Sequence, residues 1–207
     1  MKLKICGMKH PDNLSEVANL EPDYLGFIFY EKSPRYFVDT LPTETVRALP
    51  DTVQRVGVFV NASTDYMQQM ADHYGLSALQ LHGQEPPEQC QALRAMGYKI
   101  IKVFSANEAF NFDQLTPYQS YVETFLFDTA TPQHGGSGLA FDWSILSGYQ
   151  LPIPFFLSGG IGLDNIDQAM QINHPQLLGL DVNSRFETAP GRKSIHQLQQ
   201  LIARLGR

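Results

Sequence analysis

The stretch that decides the fold is a short apolar run leading directly into a glycine-rich turn: Ile153-Pro154-Phe155-Phe156-Leu157-Ser158-Gly159-Gly160-Ile161-Gly162. A continuous apolar run of this length is typical of a strand buried on both faces, as in a parallel sheet. Beyond the turn, Asp164 precedes Ile166 and Ala169, and this spacing predicts a helix capped by Asp164. The segment therefore indicates one strand, turn and helix unit of a parallel α/β protein.

Units of the same kind follow one another along all 207 residues. Eight apolar runs predict buried strands, at residues 3–6, 24–29, 53–60, 78–81, 99–104, 122–128, 153–158 and 177–181. Amphipathic stretches between them predict seven or eight helices, the clearest at residues 12–20, 65–74, 87–96 and 194–205. One unit per about 26 residues lies near the lower size limit of a (β/α)8 barrel. We predict an α/β fold, a single (β/α)8 TIM barrel domain over residues 1–207 with eight parallel strands and surrounding helices. A doubly wound open sheet would use the same elements.

Composition excludes several classes of protein. The chain has 15 basic and 21 acidic residues, and 43% of its residues are hydrophobic, which favours a packed core and argues against disorder. Its longest basic cluster is Arg192-Lys193, so we expect no nucleic-acid partner. No run approaches the roughly 18 apolar residues of a membrane span, and the N-terminus lacks the apolar stretch of a signal peptide. We therefore expect a cytoplasmic protein without a membrane partner, and a monomer by default.

Cys6 directly follows the first predicted strand, where the carboxyl ends of parallel barrel strands meet at the active-site face. Lys4 lies two residues earlier and so shares its face of the strand. Cysteine is more often a small core residue, whereas nearby positive charge would allow a thiolate base or nucleophile. The other cysteine, Cys90, lies within a predicted helix, and neither belongs to a CxxC pair, so we expect free thiols and no metal site.

Asp128 and His82 stand at the ends of two further predicted strands. Asp128 could cap the following loop through backbone amides, or its apolar neighbours could keep it protonated for use as a general acid. A lone histidine such as His82 is more often a hydrogen-bonded structural residue than a catalyst. Arg35, shortly after the second strand, is either a surface arginine or a bidentate partner for a carboxylate or phosphate.

Turns after the last two predicted strands occupy the usual phosphate site of such barrels. Gly159 and Gly160 permit close approach of the backbone to an anion, and Ser184-Arg185 follows the eighth strand. Ordinary turns also use glycine pairs, so the two positions together indicate more than either alone. The run Gly135-Gly136-Ser137-Gly138, after the sixth strand, is more typical of a flexible loop or lid.

Short motifs spread over almost the whole chain together resemble the phosphoribosylanthranilate isomerase family of tryptophan biosynthesis. Their order and their spacing from strand to strand match that family. The motifs are Lys4-Ile5-Cys6-Gly7, Gly26-Phe27-Ile28-Phe29, Ser33-Pro34-Arg35, Val56-Gly57-Val58-Phe59-Val60-Asn61, Leu79-Gln80-Leu81-His82-Gly83, Asp128 with Gly135-Gly136-Ser137-Gly138, Phe141-Asp142-Trp143, Leu157-Ser158-Gly159-Gly160, Asp164-Asn165 and Pro190-Gly191-Arg192-Lys193.

The resemblance implies a barrel without cofactor or metal whose partner is a small phosphosugar. It implies conversion of N-(5-phosphoribosyl)anthranilate to 1-(2-carboxyphenylamino)-1-deoxyribulose 5-phosphate by an acid/base Amadori rearrangement. By the same resemblance, Cys6 is the general base and Asp128 the general acid, while Arg35 and His82 bind the anthranilate end of the substrate. The phosphate would be bound by the backbone around Gly159, Gly160 and Ser184.

Two positions depart from the family pattern. The family usually has glycine where this chain has Arg185, so the side chain either strains a turn that needs a bare backbone or adds charge to the phosphate site. We include Arg185 among the predicted phosphate-binding residues. The aspartate that usually follows the Pro-Gly-x-Lys motif is Ser194, which can still cap the last helix.

Other functions stay open on the residues alone. Another phosphosugar isomerase or epimerase would be expected to place metal-binding side chains on several strand ends, and only His82 and Asp128 stand there. A barrel that binds a phosphate ligand without turnover is a second possibility, against which Cys6 and Asp128 argue and for which Arg185 argues slightly. A Rossmann-type cofactor binder is disfavoured because no Gly-x-Gly-x-x-Gly follows the first strand.

Overall fold

A computed structural model of the chain describes residues 1–129 and 142–207. Eight parallel strands close into a barrel in which each strand pairs with its neighbours in sequence and the eighth pairs with the first. The strands are β1 (Lys2–Ile5), β2 (Tyr24–Ile28), β3 (Gln54–Phe59), β4 (Ala78–Leu81), β5 (Lys99–Ala106), β6 (Thr124–Thr129), β7 (Phe155–Leu157) and β8 (Leu177–Val182). The closure confirms the predicted (β/α)8 barrel, because an open sheet would leave two unpaired edges.

Helices surround the barrel. They are α1 (Pro11–Ala18), α2 (Thr43–Arg47), α3 (Thr64–Tyr74), α4 (Pro87–Ala95), α5 (Ile166–Met170) and α6 (Ile195–Arg204), with 3₁₀ helices at Phe112–Tyr118, Trp143–Gly148 and Ser184–Phe186. The four clearest predicted helices are present, with ends displaced by one or two residues. The connection between β5 and β6 is a 3₁₀ helix that contains Pro117.

The structure confirms Ser194 as a helix cap and shows that the prediction for Asp164 is wrong. Ser194 caps α6, since its Oγ accepts a hydrogen bond from the Gln197 amide at 3.4 Å. Asp164 does not cap α5, whose N-cap position is Asn165. The Asp164 carboxylate instead forms an ion pair with Arg185, a contact between two loops that local sequence could not indicate.

A short antiparallel hairpin between β8 and α6 was not predicted. Its strands are β9 (Glu187–Ala189) and β10 (Arg192–Lys193), joined through Gly191, which has a φ of +83°. Strands this short carry no alternating pattern that could be recognised in the sequence. The hairpin matters because it buries two charged side chains, Glu187 and Lys193, next to the barrel mouth.

The barrel interior changes from apolar to polar toward the carboxyl ends of the strands. An apolar layer inside the barrel consists of Val56, Ala78, Ile101, Val103, Leu126 and Phe156. Later interior positions on the strands are buried polar or charged residues: Lys4, Gln80, Asp128, Ser158 and Asp181. Polar side chains of the barrel interior therefore gather toward the rim formed by the carboxyl ends of the strands. Among the described residues, no helix has the length and apolar character needed to cross a membrane.

Candidate active site

Every residue predicted for the site lines a single pocket at the carboxyl ends of the strands. The residues come from the ends of β1, β4 and β6 and from the loops after β2, β7 and β8: Cys6, His82, Asp128, Arg35, Gly159, Gly160, Ser184 and Arg185. They meet because barrel closure places all eight carboxyl ends on one rim. The glycine run 135–138, predicted as a loop or lid, lies outside the described residues.

Two glycines leave room for the Cys6 thiol and for the Arg35 side chain. A Cβ at Gly26 on β2 would lie 2.7 Å from the Cys6 Sγ, so only glycine leaves room for the sulfur. Gly7 has a φ of +80°, and a Cβ there would lie 2.7 Å from the Arg35 Cδ. The glycines of the first two motifs therefore allow the thiol and the arginine to approach the neighbouring strand ends.

Cys6 is 4% exposed and has charges of both signs around it. Lys4 approaches from the same face of β1, Asp181 from β8 and Lys193 from β10. Burial raises the pKa of the Cys6 thiol; Lys4 and Lys193 oppose the rise and Asp181 adds to it. The thiol form is therefore favoured in the free protein, and Lys4 is the charge that most limits the rise.

Asp128 is hydrogen-bonded and faces a histidine. Its Oδ1 accepts a hydrogen bond from the Thr129 amide at 2.8 Å, and its Oδ2 lies 3.4 Å from the His82 Nε2. On the other side of the imidazole, the Gln80 Nε2 lies 3.3 Å from Nδ1. When the Gln80 amide donates to Nδ1, the imidazole hydrogen sits on Nε2 and points at the carboxylate. His82 is thus a direct neighbour of the candidate acid.

The turn after β7 is built on two glycines with positive φ, +84° at Gly159 and +67° at Gly160. A Cβ at Gly159 would lie 2.5 Å from the Thr129 amide nitrogen and 2.8 Å from the Asp128 Oδ1, so the turn packs directly on the end of β6. Within residues 1–129 and 142–207, the amides of both glycines have no hydrogen-bond acceptor. Free amides of this kind suit an anion such as phosphate.

Arg185 does not strain its turn. Glu21 and Asn61 are the non-glycine residues with positive φ in the described part of the chain, so Arg185 has an ordinary backbone conformation. Its Nη1 donates to the Gly160 carbonyl at 3.0 Å, and its Nη2 lies 2.7 Å from the Asp164 Oδ1. The strained turn is therefore excluded, and the Arg185 guanidinium, paired with Asp164, lies beside the turn after β7.

Arg35 is held by a buried carboxylate and is not a surface arginine. Its Nε lies 3.0 Å from the Glu187 Oε1 and its Nη2 2.7 Å from Oε2. The same carboxylate lies 2.6 Å from the Lys193 Nζ, which also donates to the Asn183 Oδ1 at 2.7 Å. Within the described ranges, the Arg35 Nη1 makes no hydrogen bond, which leaves one edge of the guanidinium for a ligand.

Three charged residues of the site were not predicted: Asp181, Glu187 and Lys193. Asp181 ends an apolar strand just as Asp128 does, so the same sequence signal could have found it. Lys193 belongs to the Pro190-Gly191-Arg192-Lys193 motif, but no role was assigned to it. Glu187 carried no signal, because it reaches the site through the unpredicted hairpin. In the part of the chain that the structure describes, no three His, Cys, Asp or Glu side chains are grouped to hold a metal ion.

Comparisons with known proteins show the family of the chain. Residues 3–204 match the sequence family of N-(5'-phosphoribosyl)anthranilate (PRA) isomerase. The chain is 44% identical over 207 residues to the N-(5'-phosphoribosyl)anthranilate isomerase of Parabacteroides distasonis, covering 99% of this chain and 93% of that relative. These matches confirm the resemblance carried by the motifs and set aside the epimerase and the inactive binding barrel as alternatives.

Solved structures agree as well. Phosphoribosyl anthranilate isomerase from Thermotoga maritima is similar with a TM-score of 0.84 and 33% identity, covering 98% of this chain and 97% of that chain. A phosphoribosyl anthranilate isomerase in complex with reduced 1-(o-carboxyphenylamino)-1-deoxyribulose 5-phosphate has a TM-score of 0.81 at 30% identity, covering 98% of this chain and 96% of that chain. The chain therefore belongs to the N-(5'-phosphoribosyl)anthranilate isomerase family and is an isomerase of tryptophan biosynthesis.

Proposed function

We propose that Cys6 is the general base and Asp128 the general acid in the isomerisation of N-(5'-phosphoribosyl)anthranilate. The observation that carries the proposal is that the thiol follows β1, the carboxyl group lies near the end of β6, and both line one pocket. The rearrangement needs a proton donor and a proton acceptor at different substrate atoms, and these two groups reach the pocket from different strands.

The steps follow from the two groups. Asp128 protonates the furanose ring oxygen, and the C1–O bond breaks as the nitrogen lone pair forms the C=N bond of an iminium ion. The positive charge acidifies the hydrogen on C2. The Cys6 thiolate removes that proton, and the C–H electron pair becomes a C1=C2 bond while the nitrogen becomes neutral. The resulting enolamine tautomerises to the aminoketose as the C2 hydroxyl loses a proton and C1 gains one. Exchange with solvent then takes the extra proton from Cys6 and restores one to Asp128, with His82 beside Asp128 in position to relay it.

Other residues of the pocket would bind the two anionic ends of the substrate. The free edge of the Arg35 guanidinium suits the anthranilate carboxylate, because Glu187 holds the other edge in a fixed plane. The phosphate would lie on the turns after β7 and β8, where backbone amides and one added cation converge: Gly159, Gly160, Ser184 and Arg185. His82, which also neighbours Asp128, would contact the anthranilate end of the substrate.

Fluorescence loss of freshly generated N-(5'-phosphoribosyl)anthranilate tests the acid and base. Cys6→Ala and Asp128→Asn are each expected to lower the rate about 10²- to 10⁴-fold, the range for loss of a general acid or base. Cys90→Ala is the matched control, because Cys90 is equally buried but lies in α4 away from the pocket. A folded Cys6→Ala variant with the control's activity would contradict the assignment of the base.

We also propose that the chain acts as a monomer in the cytoplasm. In the described ranges, the large hydrophobic side chains that are exposed are single and scattered: Met1, Met96 and Met170. Single exposed apolar residues do not form the continuous patch of an oligomer interface. Sedimentation at micromolar concentration tests the monomer, and a stable dimer would contradict it.

A further inference from the structure

Lys4 is a fully buried lysine inside the barrel. Its Nζ lies 2.8 Å from the Asp181 Oδ1, and its side chain has no exposed surface. The two residues are direct partners in the pairing of β1 with β8, so the register of the sheet brings the charges together. Replacing such a buried pair by apolar side chains of similar size is often neutral or stabilising. The fold alone therefore gives little reason for a lysine at this position.

Cys6 is the functional group that the pair faces. Side chains two residues apart on a strand share a face, so Lys4 lies one position deeper in the barrel than Cys6. Burial raises the pKa of the thiol, and the positive charge of Lys4 opposes that rise. Asp181 on β8 has the opposite effect to Lys4 and raises the pKa of the thiol. The pKa of Asp181 is in turn influenced by the charges of Asp128 on β6 and His82 at the end of β4.

The remaining neighbours of the thiol do not replace Lys4. The strand on the other side, β2, presents Gly26 to the sulfur and brings no charge. Lys193 approaches from β10, but its Nζ is engaged at 2.6 Å by the Glu187 carboxylate and at 2.7 Å by the Asn183 Oδ1. Within the described residues, Lys4 has one carboxylate partner, Asp181, and it shares the strand face of the thiol.

We propose that Lys4 is a positioning residue for the isomerisation: its buried ammonium stabilises the Cys6 thiolate that removes the C2 proton, and Asp181 holds the ammonium in place. The inference rests on the proposed role of Cys6 as the base. In that step the proton from C2 moves to sulfur, and none passes to Lys4. Although burial opposes it, Asp181 and Cys6 keep the pKa of Lys4 above its ordinary value, so the ammonium stays charged.

Titration of the thiol tests the proposal directly. The chain has 2 cysteines, so in a Cys90→Ala background the ¹³C shift of the cysteine Cβ reports Cys6 alone. Lys4→Met is expected to raise the thiol midpoint by about 1 to 2 pH units, the size of effect of losing an adjacent opposite charge. Asp181→Asn is expected to lower the midpoint, because it removes the carboxylate that opposes the thiolate. Purely structural damage would not move the midpoint in opposite directions.

Lys102→Met is the matched control, since it breaks another buried lysine–carboxylate pair, with 2.9 Å between the Lys102 Nζ and the Glu85 Oε2, away from the thiol. The Cys6 midpoint is expected to stay unchanged in this variant. In kinetics, Lys4→Met is expected to lower kcat about 10- to 100-fold near pH 8, with recovery as the pH rises and KM little changed. Lys4→Arg, which keeps the charge, is expected to restore part of kcat.

The measurements distinguish failure of the Lys4 proposal from failure of the proposed role of Cys6. An unmoved midpoint in Lys4→Met, or an equal shift in Lys102→Met, would overturn the role of Lys4 even if Cys6→Ala is inactive. A shifted midpoint together with an active Cys6→Ala variant would overturn the proposal through the assignment of the base. If Lys4→Met does not fold, Asp181→Asn decides, because a midpoint that fails to fall contradicts the coupling.

Discussion

Two buried lysines of this barrel each pair with a carboxylate, yet they lie in different surroundings. The Lys4 Nζ is 2.8 Å from the Asp181 Oδ1, and the Lys102 Nζ is 2.9 Å from the Glu85 Oε2. Lys4 points into the barrel beneath the pocket. Lys102 alternates with two residues of the interior apolar layer, so it points from β5 toward the surrounding helices.

The remaining contacts of each pair explain the difference. The Lys102 Nζ also donates to the carbonyls of Leu81 at 3.1 Å and Gly83 at 2.8 Å, and Glu85 accepts from the Gly83 and Asn61 amides. These bonds tie down the turn after β4. In the described part of the chain, the Lys4 Nζ instead donates to Asp181 only, and Lys4 lies on the same strand face as the Cys6 thiol. A buried lysine–carboxylate pair therefore does not by itself indicate a catalytic role. The groups around the pair decide whether it stabilises a turn or lies beside a functional side chain.

The largest expected effect is on stability, at the Lys102 pair. Glu85→Gln leaves a buried ammonium without its counter-charge, which is expected to cost about 3 kcal/mol in the free energy of unfolding. Urea denaturation of the variant and the wild type measures this change in the free energy of unfolding. The control is Glu88→Gln, an exposed glutamate three residues away, expected to change stability by less than about 0.5 kcal/mol. Equal effects of both variants would show that the Lys102 pair does not stabilise the turn.

The second effect is the pH dependence of the pocket. Since burial raises the pKa of Cys6 and the base works as thiolate, kcat/KM is expected to rise with pH, about tenfold per unit below the thiol midpoint. It should level off above the ordinary thiol value of 9.0. Glu85→Gln should leave this profile in place where the variant is folded. A profile that falls as the pH rises from 7 to 9 would contradict a raised thiol pKa.

The third effect concerns the Glu187 carboxylate, which binds the Arg35 guanidinium. Glu187→Gln removes the negative charge that orients the Arg35 guanidinium. KM is therefore expected to rise about tenfold, the equivalent of one charged hydrogen bond. Although burial opposes it, Arg35 and Lys193 lower the pKa of Glu187, so its stabilising contribution is present at neutral pH. That contribution is lost as the pH falls through the lowered value. A lowered kcat with unchanged KM would contradict a role in substrate binding.

The smallest effect is expected at Arg185. Its partner Asp164 is 65% exposed, and such pairs contribute little, so Arg185→Gly should change stability by less than about 1 kcal/mol. Loss of one cation beside the phosphate turn should raise KM about twofold to fivefold. Steady-state kinetics measures KM. The control is Asp164→Asn, which breaks the same ion pair but keeps the cation, so it separates loss of the pair from loss of the charge. A lower KM in Arg185→Gly would show that the side chain hinders the phosphate.

Much of the site was predictable because its residues follow recognisable strands. Cys6 and Asp128 end apolar runs, and the barrel rule places strand ends together, so their meeting in one pocket follows once the fold is known. Asp181 carried the same signal and was overlooked. Glu187 could not be predicted as the partner of Arg35, since the two residues are 152 positions apart and meet through a hairpin too short to show a pattern.

The sequence by itself determined the alternation of strands and helices, the glycine turns and the motifs of the family, because these depend on neighbours within a few residues. Only the tertiary structure decided which charges share the interior. Lys4 meets Asp181 through the register of the first and last strands, and that register exists only after the barrel closes. The environment of the Cys6 thiol is consequently a property of closure, since burial and long-range pairing are set when distant segments pack together.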